Sequence, residues 1–213
     1  MNFLDQKLDD YVVQHTENEP APLKELNRKT WIKILNPRMI AGHFQGRVLS
    51  MLSHMIRPKN ILEIGTFTGY SAICWAEGLA KDGEIHTIDN NEELEDIAKH
   101  YVKESGFEKH VHFHIGKAID LIPTIDKQWD IVFLDADKSN YTNYYNQVFD
   151  SVKSGGYIIA DNVLWNGKVI DEKAFSEIDT KAILAFNEMI QKDSRVQNVL
   201  FPIRDGLMVA RKL

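Results

Sequence analysis

The stretch Asn60-Ile-Leu-Glu-Ile-Gly-Thr-Phe-Thr-Gly-Tyr-Ser71 governs the interpretation of the whole chain. Its mostly apolar run at residues 61–64 predicts a buried parallel strand. Gly65 and Gly69 bracket a tight turn, and the apolar spacing that follows Ser71 predicts a helix. A glycine turn lets the backbone approach a ligand closely, and the start of a helix offers unpaired N–H groups. The stretch therefore predicts a strand, a turn and a helix beside a ligand.

An acidic residue in this stretch indicates the kind of ligand. Glu63 lies near the strand end, so the pattern is E-x-G-x-x-x-G-x-S and differs from the G-x-G-x-x-G of dinucleotide sites. A carboxylate at that place suits a ligand that carries cationic groups and hydroxyls rather than a pyrophosphate. The alternative is an ordinary strand–helix turn of an α/β domain, with no ligand.

Length and composition predict one soluble domain over residues 1–213, in which residues 1–57 form an N-terminal helical cap. The chain has 213 residues and a single cysteine, which excludes a disulfide framework and fits a reducing compartment. Cys74 falls in the apolar helix after the glycine turn, which favours a buried structural thiol. No apolar run reaches membrane-spanning length, and the first residues lack a basic secretion signal. We therefore expect a cytoplasmic protein with no membrane partner.

Charge is distributed unevenly along the chain. The net charge is −6, which argues against a nucleic-acid partner, but residues 24–59 hold eight basic residues against Glu25 alone. The basic residues are Lys24, Arg28, Lys29, Lys33, Arg38, Arg47, Arg57 and Lys59. This segment is either a solvated basic face on amphipathic helices or a surface for phosphate-bearing or carboxylate-bearing substrates.

From residue 60 onward, apolar runs of strand length alternate with helical spacing. The predicted strands after the first are residues 84–88, 111–115, 129–134, 157–160, 196–201 and 207–210. The predicted helices are residues 1–35 with a break at Pro20 and Pro22, then 48–56, 94–102, 141–152 and 180–190, with Ser154-Gly155-Gly156 as an exit turn. This alternation predicts an α/β fold with a mostly parallel sheet, helices on both faces and an antiparallel C-terminal edge hairpin.

Acidic, amide or small residues lie at the carboxyl ends of five of the predicted strands. They are Glu63, Asp89, Gly116 with Ala118, Asp135 with Asp137 and Lys138, and Asp161 with Asn162. Ligands of such sheets bind outside the carboxyl ends of the strands, so these residues predict one binding rim. Turn and cap preferences explain any single member of the set but explain the whole set poorly.

The rim predicts a divalent cation and a nucleoside. Asp135, Asp161 and Asn162 supply the hard oxygen donors that Mg²⁺ or Ca²⁺ accepts, and neighbouring carboxylates repel one another unless a cation compensates. Asp89 is placed to accept hydrogen bonds from a ribose diol. Lys138 would lie beside that cation, where like charge disfavours its ammonium form and makes it a candidate general base.

The eight histidines look scattered, and we find no zinc-binding set. His110, His112 and His114 alternate along one predicted strand, which indicates one face of that strand rather than metal ligands.

With these motifs in place, the chain resembles the class I S-adenosylmethionine-dependent methyltransferases. More narrowly, it resembles the cation-dependent O-methyltransferases related to catechol and caffeoyl-CoA O-methyltransferases. The resemblance runs from Met39 to the C-terminus and rests on residues 63–71, 133–141, 161–167 and 202–207. It implies a Rossmann-like, seven-stranded sheet and, commonly, a homodimer.

The resemblance also implies roles for individual residues. Those implied to bind the cofactor are Ala41 through its backbone, Glu63, Gly65, Thr66, Ser71 at the methionine carboxylate, Asp89 at the ribose, Ala118 at the adenine, and Asp135. Asp135, Asp161 and Asn162 are implied to be the protein's metal ligands. Asn166 is implied to contact the substrate, and Lys138, the candidate base identified above, would also lie beside it.

The function predicted on this basis is methyl transfer from S-adenosylmethionine to a hydroxyl of a metal-chelated catechol-like or phenolic acceptor. Mg²⁺ suits the donors best, with Ca²⁺ or Mn²⁺ as alternatives. Some bacterial relatives methylate a hydroxylated uridine of tRNA, and the basic segment 24–59 gives that alternative some support. A non-catalytic nucleotide-binding module on the same fold is the third reading.

Overall fold

The computed structural model describes residues 5–213, so the expectations for residues 1–4 lie outside the described part. The helices are α1 (Gln6–Gln14), α2 (Ala21–Lys33), α3 (Gly42–Ile56), α4 (Tyr70–Ala76), α5 (Glu95–Glu104), α6 (Ala118–Leu121), α7 (Tyr141–Val148) and α8 (Ile178–Lys192). The strands are β1 (Asn60–Ile64), β2 (Glu84–Asp89), β3 (Val111–Ile115), β4 (Trp129–Leu134), β5 (Val152–Asp161), β6 (Val196–Phe201) and β7 (Leu207–Lys212).

The strands form a seven-stranded sheet in the order β3-β2-β1-β4-β5-β7-β6. β1 pairs with β2, β2 with β3, and β4 with β5, all in parallel. β7 runs antiparallel to both β5 and β6. The mostly parallel α/β sheet with an antiparallel C-terminal hairpin, predicted from the alternation of apolar runs, is therefore confirmed.

The chain divides into two compact units, residues 5–117 and residues 118–213. In the first unit, β1 is buried along Ile61–Ile64 and α4 is buried along its whole length, which includes Cys74. Burial raises the pKa of the Cys74 thiol, as expected for a structural cysteine. In the second unit, the aromatic residues Trp129, Phe133 and Phe186 are almost wholly buried. The assignment of residues 1–213 to a single domain remains a prediction.

β5 differs from the expectation. We predicted a strand over 157–160 preceded by an exit turn, but the strand begins at Val152 and contains Ser154-Gly155-Gly156. Its pairing with β4 jumps from Trp129↔Val152 to Ile131↔Tyr157, so the glycine segment is a bulge. Gly155 has a φ of 83°, a conformation that glycine adopts without strain.

The helices extend further than expected at several ends. α3 begins at Gly42, well before Val48, and α8 covers Ile178–Lys192. Pro22 lies inside the first turn of α2, where proline is tolerated, so the break falls before it. Among residues 5–213, no helix has both the length and the apolar character needed to cross a bilayer.

Candidate active site

The predicted cofactor strand contains a buried carboxylate with hydroxyl partners. Glu63 is fully buried on β1, and its Oε2 accepts a hydrogen bond from the Thr87 hydroxyl at 2.5 Å. The hydroxyls of Thr66 and Thr87 are 2.6 Å apart. Glu63 and Thr66 are thus brought together through Thr87 on β2, a residue that the sequence did not single out. The role of Glu63 and Thr66 toward a cofactor remains a prediction.

The glycine turn after β1 is hydrogen-bonded to the last residue of β2, Asp89. Gly65 and Gly69 have φ values of 109° and 84°, and the turn between them places the Phe67 N–H 2.7 Å from Asp89 Oδ2. The Asn91 N–H donates to the other Asp89 oxygen at 2.9 Å. A carboxylate offers about four lone-pair positions, so Asp89 retains acceptor capacity for hydroxyl groups.

The other predicted cofactor residues lie at element starts. Ser71 is the second residue of α4, and Ala41 precedes the first residue of α3; both are buried. Ala118 is the buried first residue of α6, in the second unit. Their contacts with a cofactor remain predictions.

The carboxyl ends of β4 and β5 bring two carboxylates together in the second unit. Leu134 pairs with Ala160, so Asp135 and Asp161 occupy the next position on adjacent parallel strands. Asp161 is buried, and the Asp135 side chain is 18% exposed. Burial raises the pKa of the Asp135 carboxyl; Lys138 opposes that rise and Asp161 adds to it. The register of β4 and β5 thus places two carboxylates side by side at one edge of the sheet.

Lys138 is held at these carboxylates by a tyrosine. Its Nζ lies 3.2 Å from Asp135 Oδ1 and 2.5 Å from the Tyr141 hydroxyl, and the side chain is only 8% exposed. The Tyr141 hydroxyl lies 3.0 Å from the carbonyl oxygens of both Leu134 and Asp161. Burial raises the pKa of Tyr141, so the phenol keeps the proton that it donates to one of these carbonyls.

The loop after β5 has an unusual backbone. Asn162 has a φ of 60°, and its N–H donates to Asp161 Oδ1 at 2.8 Å. Asn166 has a φ of 54°, and its N–H donates to Asp205 Oδ1 at 2.5 Å. A Cβ on Gly206 would lie 2.5 Å from Leu164 Cγ, so this turn must have glycine. The turn between β6 and β7 therefore shapes the loop that carries Asn166.

We refer to Asp135, Lys138, Asp161 and Asn162 as the rim site. Two residues that sequence analysis missed act on it: Tyr141, which holds Lys138, and Arg204, whose charge lowers the pKa of Asp135. Both lie inside the motifs used for the resemblance, at residues 133–141 and 202–207. Their location inside these motifs was the sequence signal that could have identified them.

Comparison with known proteins identifies the family of this chain. The family model described as O-methyltransferase matches residues 13–213. The chain belongs to the O-methyltransferase family. Caffeoyl-CoA O-methyltransferase 1 of Nicotiana tabacum is 34% identical over 206 residues, covering 92% of this chain and 86% of the relative. The resemblance drawn from the motifs is confirmed.

Solved structures of other O-methyltransferases have the same fold. An O-methyltransferase from Bacillus cereus in complex with SAH has a TM-score of 0.88 and 29% identity, over 97% of both chains. The O-methyltransferase TomG from Streptomyces achromogenes, in complex with SAM, has a TM-score of 0.87 and 27% identity, covering 97% of this chain and 96% of TomG.

One expectation about this O-methyltransferase family member was wrong. The histidines are not all scattered: the rings of His112 and His114 lie 4.9 Å and 5.2 Å from the ring of His86. Glu84 joins them through contacts with His86 and His112. We refer to Glu84, His86, His112 and His114 as the histidine cluster. His112 and His114 do share one face of β3, as the alternation predicted, but that face meets a second set of side chains on β2.

Proposed function

We propose that this protein transfers the methyl group of S-adenosylmethionine to a hydroxyl oxygen of a small catechol-like or phenolic acceptor, with the help of a divalent cation. The observation that carries the proposal is the rim site, where Asp135 and Asp161 follow adjacent parallel strands and the buried Lys138 contacts Asp135. A module that only bound a nucleoside would have no use for that set.

S-adenosylmethionine as the methyl donor is supported by family membership and by the SAM and SAH complexes of similar structures. We assign Glu63, Gly65, Thr66, Ser71 and Asp89 to the donor, together with Ala41, Ala118 and Asp135. The retained acceptor capacity of Asp89 fits a ribose diol. The positive φ of Gly65 lets the backbone approach the donor without a side chain in between.

The residues of the rim site fit a divalent cation. Asp135 and Asp161 repel each other, and burial makes that repulsion costly, so a positive ion would relieve both effects. We assign Asp135, Asp161 and Asn162 as its protein ligands, because carboxylate and amide oxygens are the donors that Mg²⁺ prefers, with Mn²⁺ or Ca²⁺ as substitutes. When bound, the cation lowers the pKa of an acceptor hydroxyl.

Lys138 handles the proton of the acceptor hydroxyl at its Nζ. The short contact with Tyr141 fixes the direction of the lysine side chain, and the contact with Asp135 keeps it at the carboxylates. Because Lys138 is almost wholly buried, its Nζ exchanges protons with the acceptor rather than with bulk water. Asn166, presented by its contact with Asp205, is assigned to the acceptor.

The acceptor class follows the relatives, whose names specify caffeoyl-CoA as a substrate. The basic segment 24–59 gives a second candidate, tRNA, some support, because Lys24, Arg28, Lys33, Arg38, Arg57 and Lys59 are all exposed. Arg47 is not available to such a ligand, since it pairs with Glu77 at 2.9 Å. A homodimer is proposed from the family resemblance and is measured by sedimentation.

The test is methyl transfer from labelled S-adenosylmethionine to a panel of catechols, caffeoyl-CoA and bulk tRNA, with and without Mg²⁺, after treatment with a chelator. We expect labelled product with a catechol-type acceptor only when Mg²⁺ is added. Transfer to tRNA alone, with a steep salt dependence, would replace the acceptor class. Undiminished methyl transfer after chelation would refute the requirement for a divalent cation.

A further inference from the structure

The histidine cluster lies on two neighbouring parallel strands. His86 pairs with His112, and Ile88 pairs with His114, in the register of β2 and β3. Side chains two residues apart on a strand point to the same face, so Glu84 joins His86 on one strand and His114 joins His112 on the other. The register therefore gathers one carboxylate and three imidazoles on one face.

Three of these side chains present their donor atoms to one point. Glu84 Oε2 lies 3.2 Å from His112 Nε2 and 3.7 Å from His86 Nε2, and all three atoms lie within 4.8 Å of one another. Metal–ligand bonds of roughly 2.0–2.2 Å in a tetrahedral zinc site give donor–donor distances of about 3.4 Å. Two of the three separations already match, and the 45% exposed His112 side chain can turn to close the third.

His114, the fourth residue of the cluster, orients His86 through a hydrogen bond between their rings. His86 Nδ1 and His114 Nε2 are 3.0 Å apart, so one of these nitrogens donates a proton and the other accepts it. When His86 Nδ1 donates, the lone pair of His86 Nε2 faces the Glu84 carboxylate, and a cation between the two removes their repulsion. A metal-binding histidine ordinarily donates its second ring N–H to an acceptor such as a carboxylate, a backbone carbonyl or water, and His114 Nε2 takes that place here.

The backbone at the start of β2 is anchored by the remaining histidine of this segment. His110 Nδ1 lies 2.8 Å from the Gly83 carbonyl oxygen, and the Ile85 N–H donates to the His110 carbonyl at 2.7 Å. These contacts fix the residues on both sides of Glu84. The donor atoms are thus attached to a fixed backbone rather than to a loose loop.

We propose that Glu84, His86 and His112 bind a Zn²⁺ ion, with water in the fourth position and His114 as the hydrogen-bond partner that orients His86. Two imidazole nitrogens and one carboxylate oxygen suit Zn²⁺, whereas Mg²⁺ prefers an all-oxygen set. The ion would connect β2 to β3, which is an edge strand of the sheet. Glu84 is five residues before Asp89, roughly 16 Å along the strand, so this site is separate from the proposed cofactor residues.

The test uses the full chain stripped of metal, titrated with ZnCl₂ in the presence of excess Mg²⁺, with calorimetry and thermal unfolding as readouts. We expect one equivalent of Zn²⁺ to bind and to raise the melting temperature. Co²⁺ in place of Zn²⁺ is expected to give the intense visible absorption of a tetrahedral site. Absence of binding, or the weak absorption of six-coordinate Co²⁺, overturns the proposal.

Variants locate the ion. His112→Ala and Glu84→Gln are expected to lose at least about 100-fold in Zn²⁺ affinity, and His114→Ala about 10–100-fold, as for an outer partner of a ligand. His100→Ala, an exposed histidine on α5 outside the cluster, is the matched control and keeps wild-type affinity. Asp161→Ala is also expected to keep the wild-type affinity for Zn²⁺. Zinc affinity that falls in Asp161→Ala but not in His112→Ala places the ion at the rim site and overturns the proposal.

Discussion

The rim site and the histidine cluster both collect carboxylates and basic side chains on neighbouring parallel strands, yet they differ in donor atoms and in burial. Asp135, Asp161 and Asn162 offer only oxygens, and Asp161 is buried. Glu84, His86 and His112 offer two nitrogens and one oxygen, and His112 is largely exposed. Neighbouring parallel strands therefore present two different donor sets, an all-oxygen set that fits Mg²⁺ and a mixed nitrogen and oxygen set that fits Zn²⁺.

The two regions also differ in what holds them together without a metal. In the rim site, Lys138 contacts the Asp135 carboxylate and the Tyr141 hydroxyl, while burial raises the pKa of Asp135. In the histidine cluster, partly exposed contacts join Glu84 to the rings of His86 and His112, and such contacts contribute little. Removing groups from the first should therefore affect catalysis strongly, and removing groups from the second should matter mainly when metal is present.

The largest effect is expected for Asp161→Ala. Loss of this carboxylate removes a proposed cation ligand, and we expect methyl transfer at saturating Mg²⁺ to fall at least about 100-fold, while donor binding changes little. Steady-state rates and calorimetry with S-adenosylmethionine measure the two quantities. Asp150→Asn, an exposed carboxylate of the same unit, serves as the control. A variant rate within a few-fold of wild type would remove Asp161 from the site.

Lys138→Met is expected to lower kcat by about 100-fold or more, with a smaller change in the KM for the acceptor, because proton handling contributes about 10²–10⁴-fold in enzymes. Methionine keeps the length of the side chain and removes the ammonium. Lys153→Met is the control: it removes the ion pair between Lys153 on β5 and Asp130 on β4, and it should leave kcat unchanged. Equal kcat values for the two variants would contradict the role of Lys138.

How far the sequence predicts this molecule depends on whether a feature is local. β3, β4 and β6 were predicted at their observed residues, because each is a short segment of strand-forming residues with clear ends. β5 was predicted too short: Gly155 and Gly156 look like a turn in isolation, and only pairing with Trp129 and Ile131 makes them a bulge.

The two sites illustrate the same limit. Asp135 and Asp161 were predicted to meet because both directly follow apolar strands, and carboxyl ends of parallel strands share an edge. The histidine cluster was missed because His86 and His112 meet only through the register of β2 with β3, and this register cannot be predicted from the sequence of either strand. Tyr141 was missed for a similar reason, since its hydroxyl reaches two strand ends at once.

Tyr141→Phe separates positioning from proton transfer. The variant loses the hydroxyl that holds Lys138, so we expect kcat to fall about 10-fold and the pH profile of kcat to shift, with a loss of about 1–3 kcal/mol in the free energy of unfolding from the unpaired buried carbonyls. Tyr145→Phe loses a hydrogen bond to Asp193 instead. It should lose comparable stability and keep the wild-type pH profile; an identical profile in both variants would leave Tyr141 a purely structural residue.

The smallest effect is expected for Glu84→Gln measured without metal. Its contacts with the rings of His86 and His112 are partly exposed, so the free energy of unfolding should change by less than about 1 kcal/mol. With Zn²⁺ added, wild type should gain stability and the variant should not. Urea unfolding with and without ZnCl₂ measures both. A large loss in the metal-free variant would make the cluster a structural ion pair rather than a metal site.

Anomalous diffraction at the manganese edge from crystals grown with MnCl₂ tests whether the rim site binds a divalent cation. We expect a manganese peak bound by Asp135, Asp161 and Asn162 at oxygen distances of about 2.0–2.3 Å. A crystal in which manganese binds elsewhere, with these three side chains free of metal, would contradict the cation-assisted methyl transfer proposed for this protein.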